Sequence, residues 1–267
     1  MDYLKQFSLK GKKAFIIGGS GLIGIQISNA ISQAGAKTYI LDIKKPEKNK
    51  IKNKKNITYN YFNCSYVDQL EKLYNNIFEK FGTPDIFINC SYPISTKWNS
   101  SNFEEIKLKN LKENINIHLN SFSWLARLTA EKMRKSKIKG SIIQLGSIYG
   151  TVGQDLNIYK GVKNMRENMI YSIIKGGISS LTKQMASYYG QYNIRINTIC
   201  PGGILGHFKG TKKKQSSVFI KNYKKKVPLK RLGNASEIAS TALFLSSDSS
   251  SYITGVNLMV DGGWTAI

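Results

Sequence analysis

The side chains of Tyr171 and Lys175 are the first candidates for chemistry in this sequence, because they lie four residues apart. On a helix, residues with this spacing share one face, so the ammonium group would lie beside the phenol. A neighbouring positive charge favours the phenolate and lowers the pKa of the tyrosine. Such a phenol can donate and accept a proton near neutral pH. The spacing recurs at Tyr159 and Lys163, but only Tyr171 begins a helical pattern that leads to a strand and then to Pro201, so we favour the first pair.

A glycine-rich loop near the start of the chain is typical of a dinucleotide-binding site. Gly18, Gly21 and Gly24 follow an apolar strand pattern and precede a helical one. Glycine is needed there because a phosphate must come close to backbone N–H groups and to a helix N-terminus. Asp42 lies 18 residues beyond Gly24, where dinucleotide-binding folds place an acid that binds ribose. The loop residues expected to contact the cofactor are Gly18, Ser20, Gly21, Leu22, Ile23 and Gly24.

The carboxylate of Asp42 also predicts which dinucleotide binds. It can accept hydrogen bonds from the 2′-hydroxyl of NAD, whereas it repels the 2′-phosphate of NADP. Lys44 and Lys45 follow at once and could weaken this preference. The sequence therefore predicts NAD, with NADP as the alternative.

Strand and helix patterns alternate along the whole chain. The predicted strands are 13–17, 38–42, 56–62, 85–89, 140–145, 194–199 and 256–260. The predicted helices are 22–34, 67–81, one long helix within 103–135, 171–190 and 236–246. This alternation indicates β-α-β units, so we expect a doubly wound (Rossmann) α/β fold with a mainly parallel sheet and helices on both faces. No linker divides the chain, and residues 1–267 are expected to form a single domain.

Composition excludes several other classes of protein. Hydrophobic residues make up 41% of the 267 residues, which is typical of a globular chain and not of a disordered one. No apolar run reaches the roughly 18 residues of a membrane span, and residues 1–13 lack the apolar core of a signal peptide. The three cysteines, Cys64, Cys90 and Cys200, have neither disulfide nor zinc spacing. We therefore expect a cytoplasmic protein with no metal site and no membrane partner.

The net charge of +24, from 40 basic and 16 acidic residues, is the least ordinary global feature. So basic a chain can bind nucleic acid, and one alternative is a non-catalytic dinucleotide-binding protein whose basic surface contacts nucleic acid. The lysines are densest in 44–55 and 209–226, but neither run alternates with stacking aromatic residues. Lysines that are simply solvated explain the charge equally, and we expect nucleic acid not to be a partner.

Together, these motifs resemble the short-chain dehydrogenase/reductase family over nearly the whole chain. Besides the glycine loop, Asp42 and the Tyr171/Lys175 pair, the matching segments are Asn89-Cys90-Ser91-Tyr92, Ser147, Pro201-Gly202, 231–233, 253–255 and 260–263. The resemblance implies an oxidoreductase that interconverts a secondary alcohol and a ketone with NAD or NADP. It also implies a homo-oligomer, either a tetramer or a dimer.

The resemblance assigns a role to each matching residue. Tyr171 would exchange a proton with the substrate oxygen, Lys175 would lower the pKa of Tyr171 and bind the nicotinamide ribose, and Ser147 would orient the substrate. The nicotinamide would give or take a hydride. Further cofactor contacts are implied at Asn63, Cys64, Asn89, Cys90, Ser91, Pro201, Gly202 and Ile204.

Two departures from the family pattern concern the catalytic residues. Ser147 and Tyr171 are 24 residues apart, about twice the usual gap, so we expect an extra loop within 147–171 beside the substrate. The family's proton-relay asparagine has no clear equivalent. Alignment without gaps places His118 there, with Asn116 and Asn120 two residues to either side. His118 could relay a proton, and a purely structural histidine fits equally.

A lysine-rich segment, 203–226, falls where family members carry a substrate lid. Its charge would favour a phosphorylated or nucleotide-linked substrate, although a solvated lysine face fits as well. The extra loop and the segment around Tyr92 are similar to reductases of bacterial surface-sugar and flagellin modification. The substrate predicted on this basis is a sugar or a sugar nucleotide.

Overall fold

The computed structural model describes residues 2–206 and 215–267, and the strands in them form one parallel sheet. The sheet order is β3-β2-β1-β4-β5-β6-β7. The strands are β1 (Lys13–Ile17), β2 (Lys37–Asp42), β3 (Ile57–Tyr61), β4 (Ile86–Asn89), β5 (Ser141–Leu145), β6 (Arg195–Pro201) and β7 (Asn257–Val260). The order reverses at β1, which pairs with both β2 and β4, so the doubly wound fold predicted from the sequence is confirmed.

Helices lie on both faces of the sheet. They are α1 (Leu22–Gln33), α2 (Leu70–Phe81), α3 (Leu108–Asn114), α4 (Ser121–Lys135), α5 (Met169–Tyr189), α6 (Ser217–Lys226) and α7 (Ala235–Ser246). Helices α1 and α7 cover one face, whereas α2, α4 and α5 cover the other.

The central strands are mostly apolar because they are buried on both sides. In β1, Phe15 and Ile17 lie in the core beneath α2, with Tyr74. Their neighbours Ala14 and Ile16 lie in the opposite core beneath α1. Successive side chains of a strand point to opposite faces, so both parities of the strand must be hydrophobic.

The prediction of one long helix within 103–135 is wrong in part. A π-helical turn, Ile115–Asn120, separates α3 from α4 and carries His118. Just before it, the buried side chain of Asn114 donates a hydrogen bond to the carbonyl oxygen of Asn110 at 2.9 Å. Side chains that bond to nearby carbonyls compete with the regular helical ladder, and apolar periodicity does not reveal this competition.

The segment assigned as a lid, 203–226, contains a helix that the sequence analysis missed. In α6, Phe219 and Tyr223 are buried one turn apart, while Lys221, Lys224 and Lys225 are exposed. The lysines mask the short apolar stripe that holds the helix in place. Lys226 is half-buried, and the other lysines of the segment, Lys209, Lys212, Lys213 and Lys214, lie outside the described residues.

None of the helices in the described ranges combines the length and the apolar character that a membrane crossing requires.

Candidate active site

The site lies at the edge of the sheet where its central strands end. Gly18 follows β1, Asn89 ends β4, Ser147 follows β5 and Pro201 ends β6. Because these strands are parallel neighbours, their carboxyl ends lie side by side. Open α/β sheets bind their ligands at this edge, next to the point where the strand order reverses.

Tyr171 and Lys175 lie one turn apart in the first half of α5. The Nζ atom of the buried Lys175 donates a hydrogen bond to the carbonyl oxygen of Leu145 at 2.7 Å. It also lies 5.6 Å from the ring centroid of Tyr171 and 5.2 Å from that of Phe122. Burial lowers the pKa of Lys175 to about 7, so the charged and the neutral form of this lysine are both populated near neutral pH.

Ser147 is the third member of this group. Its side-chain oxygen accepts a hydrogen bond from the backbone N–H of Tyr149 at 3.2 Å. The serine also hydrogen-bonds with the phenol of Tyr171, which lowers the pKa of that phenol. The structure thus brings Ser147, Tyr171 and Lys175 together, as the resemblance implies.

The net pKa of Tyr171 differs from the prediction. Burial raises the pKa of Tyr171 above 10.0, and the hydrogen bond with Ser147 offsets this only in part. The spacing of Tyr171 and Lys175 places their side chains on one face but contains no information on burial. The expectation of a lowered Tyr171 pKa is therefore wrong for this structure, because loss of hydration of the phenolate is the largest effect.

The glycine loop passes very close to the segment after β4. Gly18 has φ +74°, and a Cβ atom there would lie 2.5 Å from the Cα atom of Ser91. A turn bond from the Gly21 N–H to the Gly18 carbonyl oxygen, 3.1 Å long, closes the loop just before α1. Ile23 and Gly24 then belong to the first turn of α1, whose N–H groups have no partner within the helix. The backbone donors without a partner in the helix are therefore those at the start of α1, directly after the loop.

Asp42 is fixed beside this loop. Its Oδ2 atom accepts a hydrogen bond from the Ser20 N–H at 3.0 Å, and its Oδ1 atom accepts one from the Lys44 N–H at 3.0 Å. Asp42 ends β2 and is 9% exposed, so the carboxylate lies at the carboxyl edge, where its position is set by two backbone amides. These features fit a bound dinucleotide, because backbone donors for phosphate and an acid for ribose lie side by side.

The residues after β3 and β4 complete this part of the edge. Asn89 is fully buried, and its Oδ1 atom accepts hydrogen bonds from the backbone N–H and the hydroxyl of Ser91, at 3.2 and 2.8 Å. Among the described residues its Nδ2 atom has no partner, which leaves a buried donor beside the loop. Cys90 donates through Sγ to the Ile17 carbonyl oxygen at 3.1 Å. After β3, the side chain of Asn63 accepts from the Ser65 N–H at 3.0 Å, and Cys64 is buried.

The segment after β6 is held by the C-terminal part of the chain. The Gly202 N–H donates to the Val260 carbonyl oxygen at 3.0 Å, and the Gly203 N–H donates to the hydroxyl of Tyr223 in α6. Ile204 forms an isolated bridge with Gly233. The predicted cofactor residues Pro201, Gly202 and Ile204 thus follow one another along the same edge.

Of the three candidates for the proton-relay position, only His118 faces the site. It is fully buried, and its ring lies 5.3 Å from that of Tyr92, which in turn lies 6.1 Å from Tyr171. Asn116 and Asn120 are exposed and hydrogen-bond to each other at 2.9 Å. A relay role for His118 stays a prediction.

Three aromatic residues that the sequence analysis did not assign surround Tyr171. The ring centroids of Tyr92, Trp98 and Tyr149 lie 6.1, 6.4 and 6.4 Å from that of Tyr171. Tyr92 and Trp98 come from the segment after β4 and Tyr149 from the segment after β5. No periodic pattern marks these residues, because Trp98 and Tyr149 lie in single 3-10 turns and Tyr92 lies in an irregular segment.

Tyr159, the other tyrosine with a lysine four residues later, makes contacts outside the group formed by Ser147, Tyr171 and Lys175. Its hydroxyl donates to the Oε1 atom of Gln154 at 3.0 Å, and its ring stacks on Phe219 of α6 at 6.4 Å. Within the described ranges, no group of three or more histidine, cysteine or acidic side chains is arranged to hold a metal ion.

Comparisons with known proteins agree with this geometry. A family model described as enoyl-(acyl carrier protein) reductase matches residues 20–265. The post-translational flagellin modification protein A of Campylobacter coli is 31% identical over 262 residues, which cover 96% of this chain and 99% of that protein. The ribulose-forming D-arabinitol 2-dehydrogenase of Candida tropicalis is 29% identical and covers 98% of this chain and 95% of its own. A crystal structure of a short chain dehydrogenase from Leptospira borgpetersenii with bound NAD+ is 31% identical, with a TM-score of 0.83 over 97% of this chain and 95% of that one.

Proposed function

The chain belongs to the short-chain dehydrogenase/reductase family, and from this premise we propose that it interconverts a secondary alcohol and a ketone with a nicotinamide dinucleotide. Tyr171 is the general acid–base of this reaction. The observation that carries the proposal is the meeting of Ser147, Tyr171 and Lys175 beside the glycine loop, at the edge of the sheet where such folds bind ligands.

The three side chains divide the proton chemistry between them. The phenol of Tyr171 takes the proton from the alcohol, or gives one to the ketone oxygen. Ser147, which hydrogen-bonds with the phenol, orients the same substrate oxygen. Lys175 supplies positive charge 5.6 Å from the Tyr171 ring, which favours the phenolate when the lysine is protonated. A nicotinamide held beside these residues would supply the hydride chemistry, which moves one hydrogen with two electrons.

The residues that would hold the dinucleotide follow from the loop geometry. Backbone N–H groups between Gly18 and Gly24 would bind the phosphates, and the carboxylate of Asp42 would accept hydrogen bonds from the adenosine ribose. Asp42 favours NAD over NADP because both of its oxygens are already held in place and a 2′-phosphate beside them would be repelled. The bound NAD+ of the Leptospira structure supports the cofactor class.

The substrate class rests on the relatives. One of them is named for flagellin modification and another for oxidation of a sugar alcohol. A polyol, a sugar or a sugar nucleotide is therefore the proposed substrate. A homotetramer, or failing that a dimer, in the cytoplasm is the proposed assembly and location, which light scattering and fractionation would test.

The direct test is a screen for turnover. The purified protein is incubated with NAD or NADP and a panel of polyols, sugars, sugar phosphates and nucleotide sugars, and absorbance at the reduced nicotinamide band is followed. We expect NAD-linked turnover with at least one carbohydrate. No turnover with any member, together with DNA binding that weakens steeply with salt, would instead support the non-catalytic nucleic-acid-binding alternative.

A further inference from the structure

The side-chain amide of Gln154 joins the extra loop between Ser147 and Tyr171 to the start of the catalytic helix. Its Nε2 atom donates to the Asn168 carbonyl oxygen at 2.7 Å and to the Ser172 hydroxyl at 3.2 Å. Its Oε1 atom accepts from the Asn168 N–H at 3.1 Å and from the Tyr159 hydroxyl at 3.0 Å. A primary amide has two donor hydrogens and two acceptor lone pairs, so Gln154 uses its full hydrogen-bonding capacity here.

Gln154 thus bonds to both the backbone N–H and the backbone carbonyl oxygen of Asn168. Asn168 in turn starts the helix that carries the catalytic pair. Its Oδ1 atom accepts a hydrogen bond from the Tyr171 N–H at 2.9 Å, which makes it the N-cap of α5. Its Nδ2 atom donates to the Trp98 carbonyl oxygen at 3.4 Å. An N-cap fixes where a helix begins and satisfies one of its free N–H groups. The position of Asn168 therefore determines the position of Tyr171, three residues later.

The two catalytic positions on α5 are held in different ways. Lys175 is anchored directly to β5 through Leu145. Tyr171 lies in the first turn of the helix, and its backbone is held by Asn168. Ser147, the partner of the Tyr171 phenol, belongs to the segment after β5. A shift of the first turn would thus separate the phenol from Ser147 while leaving Lys175 in place.

The far side of the extra loop is fastened to α6. Asp155, the neighbour of Gln154, forms an ion pair with Lys226 at 3.0 Å. The Nδ2 atom of Asn222 donates to the Lys160 carbonyl oxygen at 2.9 Å. Together with the stacking of Tyr159 on Phe219, these contacts give the loop a fixed support, so that Gln154 can act as a rigid connection and not as a side chain on a free loop.

We propose that Gln154 is a positioning residue, which sets the first turn of α5 so that the phenol of Tyr171 meets Ser147. The inference rests on the proposed function of Tyr171 as general acid–base. If Gln154 has this role, the extra loop affects the rate of the chemical step, in addition to lining the substrate site.

The substitution Gln154→Glu tests the proposal with little change in side-chain volume. A carboxylate keeps the acceptor oxygens but has no N–H group, so the Asn168 carbonyl oxygen loses its donor and faces a negative charge. Displacement of a catalytic group by about 1 Å costs on the order of 100-fold in rate. We expect kcat to fall about 10- to 100-fold, with KM for the substrate and Kd for NADH within about twofold of the wild type.

Two control variants separate this effect from a general one. Gln184→Glu makes the same chemical change on an exposed part of α5, and we expect wild-type kinetics. Tyr159→Phe removes one of the two hydrogen bonds that Gln154 accepts but leaves both of its bonds to the Asn168 backbone intact. We expect kcat to fall less than about threefold in this variant. If Gln154→Glu keeps the wild-type kcat, or if kcat, KM and Kd all deteriorate together, Gln154 is not a positioning residue.

Amide hydrogen exchange tests the positioning role of Gln154 without any substrate. In Gln154→Glu we expect peptides that cover 169–173 to exchange at least about tenfold faster, while peptides from the second half of α5 remain at the wild-type rate. Unchanged exchange at 169–173 contradicts the positioning role whether or not a substrate is known. Absence of wild-type turnover with every carbohydrate would contradict the proposed function alone.

Discussion

The Nζ atom of Lys175 lies 2.7 Å from the carbonyl oxygen of Leu145, the last residue of β5. This hydrogen bond ties α5 to the strand that leads to Ser147, so that the lysine has a structural role besides the catalytic one proposed for it. Its burial removes water from the ammonium, which lowers the pKa of Lys175 to about 7. A lysine in this state links the stability of the protein to pH.

The variant Lys175→Met should change the dependence of stability on pH. Between pH 7 and 10.5, the unfolded chain keeps a proton on Lys175 that the folded chain has released. The free energy of unfolding of the wild type should therefore rise with pH relative to Lys175→Met, by up to about 1.4 kcal/mol per pH unit. Urea denaturation from pH 6.5 to 9.5 measures the difference. Lys183→Met, on an exposed position of the same helix, is the control and should run parallel to the wild type.

The variant Tyr171→Phe should remove the acid–base group and nothing else. Loss of a general acid–base typically costs about 100- to 10,000-fold in rate, so kcat should fall by that order. Kd for NADH, measured by fluorescence titration, should stay within about twofold of the wild type. Tyr159→Phe removes a phenol that is bonded to Gln154 and should retain most of the activity. Comparable turnover in Tyr171→Phe and the wild type would refute the assignment of Tyr171.

The variant Asp42→Ala should relax the preference for NAD. It removes the carboxylate that repels a 2′-phosphate, so the ratio of kcat/KM for NAD to that for NADP should fall at least about tenfold, equivalent to about 1.4 kcal/mol. Asp42→Asn keeps an acceptor for the Ser20 N–H and should show whether charge or loop geometry sets the preference. A ratio that does not move in either variant would overturn the cofactor assignment.

The variant Gly18→Ala should weaken dinucleotide binding through a steric clash. The added Cβ atom would lie 2.5 Å from the backbone of Ser91, so the loop must move away from the end of β4. We expect NADH to bind at least about tenfold more weakly. Gly11→Ala has a similar φ of +82°, but its Cβ atom meets nothing within 4 Å. Equal NADH affinities in these two variants would show that the close approach at Gly18 is not required.

The sheet and its glycine loop could be predicted from the sequence because their signals are local. Strands such as β1 contain a continuous apolar run, Ala14 to Ile17, that is followed by glycine, which is typical of a buried parallel strand. The spacing of Gly18, Gly24 and Asp42 is also read within one β-α-β unit. The resemblance to the short-chain dehydrogenase/reductase family, stated on these motifs, is confirmed by the comparisons.

The remaining features depend on contacts between distant segments. Gln154 reaches residues 14 and 18 positions away across irregular chain, and no periodicity marks such a contact. The π-helical turn at His118 comes directly after Asn114, whose side chain bonds to the Asn110 carbonyl oxygen, and apolar periodicity marks neither feature. The raised pKa of Tyr171 depends on burial by neighbours that the spacing of Tyr171 and Lys175 does not include.

The position of β1 at the centre of the sheet has a consequence for folding. Its two neighbours, β2 and β4, are both complete by residue 89. The cores on its two faces, however, also contain residues of α4 and α5 on one side and of α7 on the other. Because a domain folds as a unit, the strand that leads into the glycine loop becomes fully packed only when the C-terminal helices join it. The N-terminal and C-terminal parts of the chain therefore contribute jointly to the stability of the phosphate-binding loop.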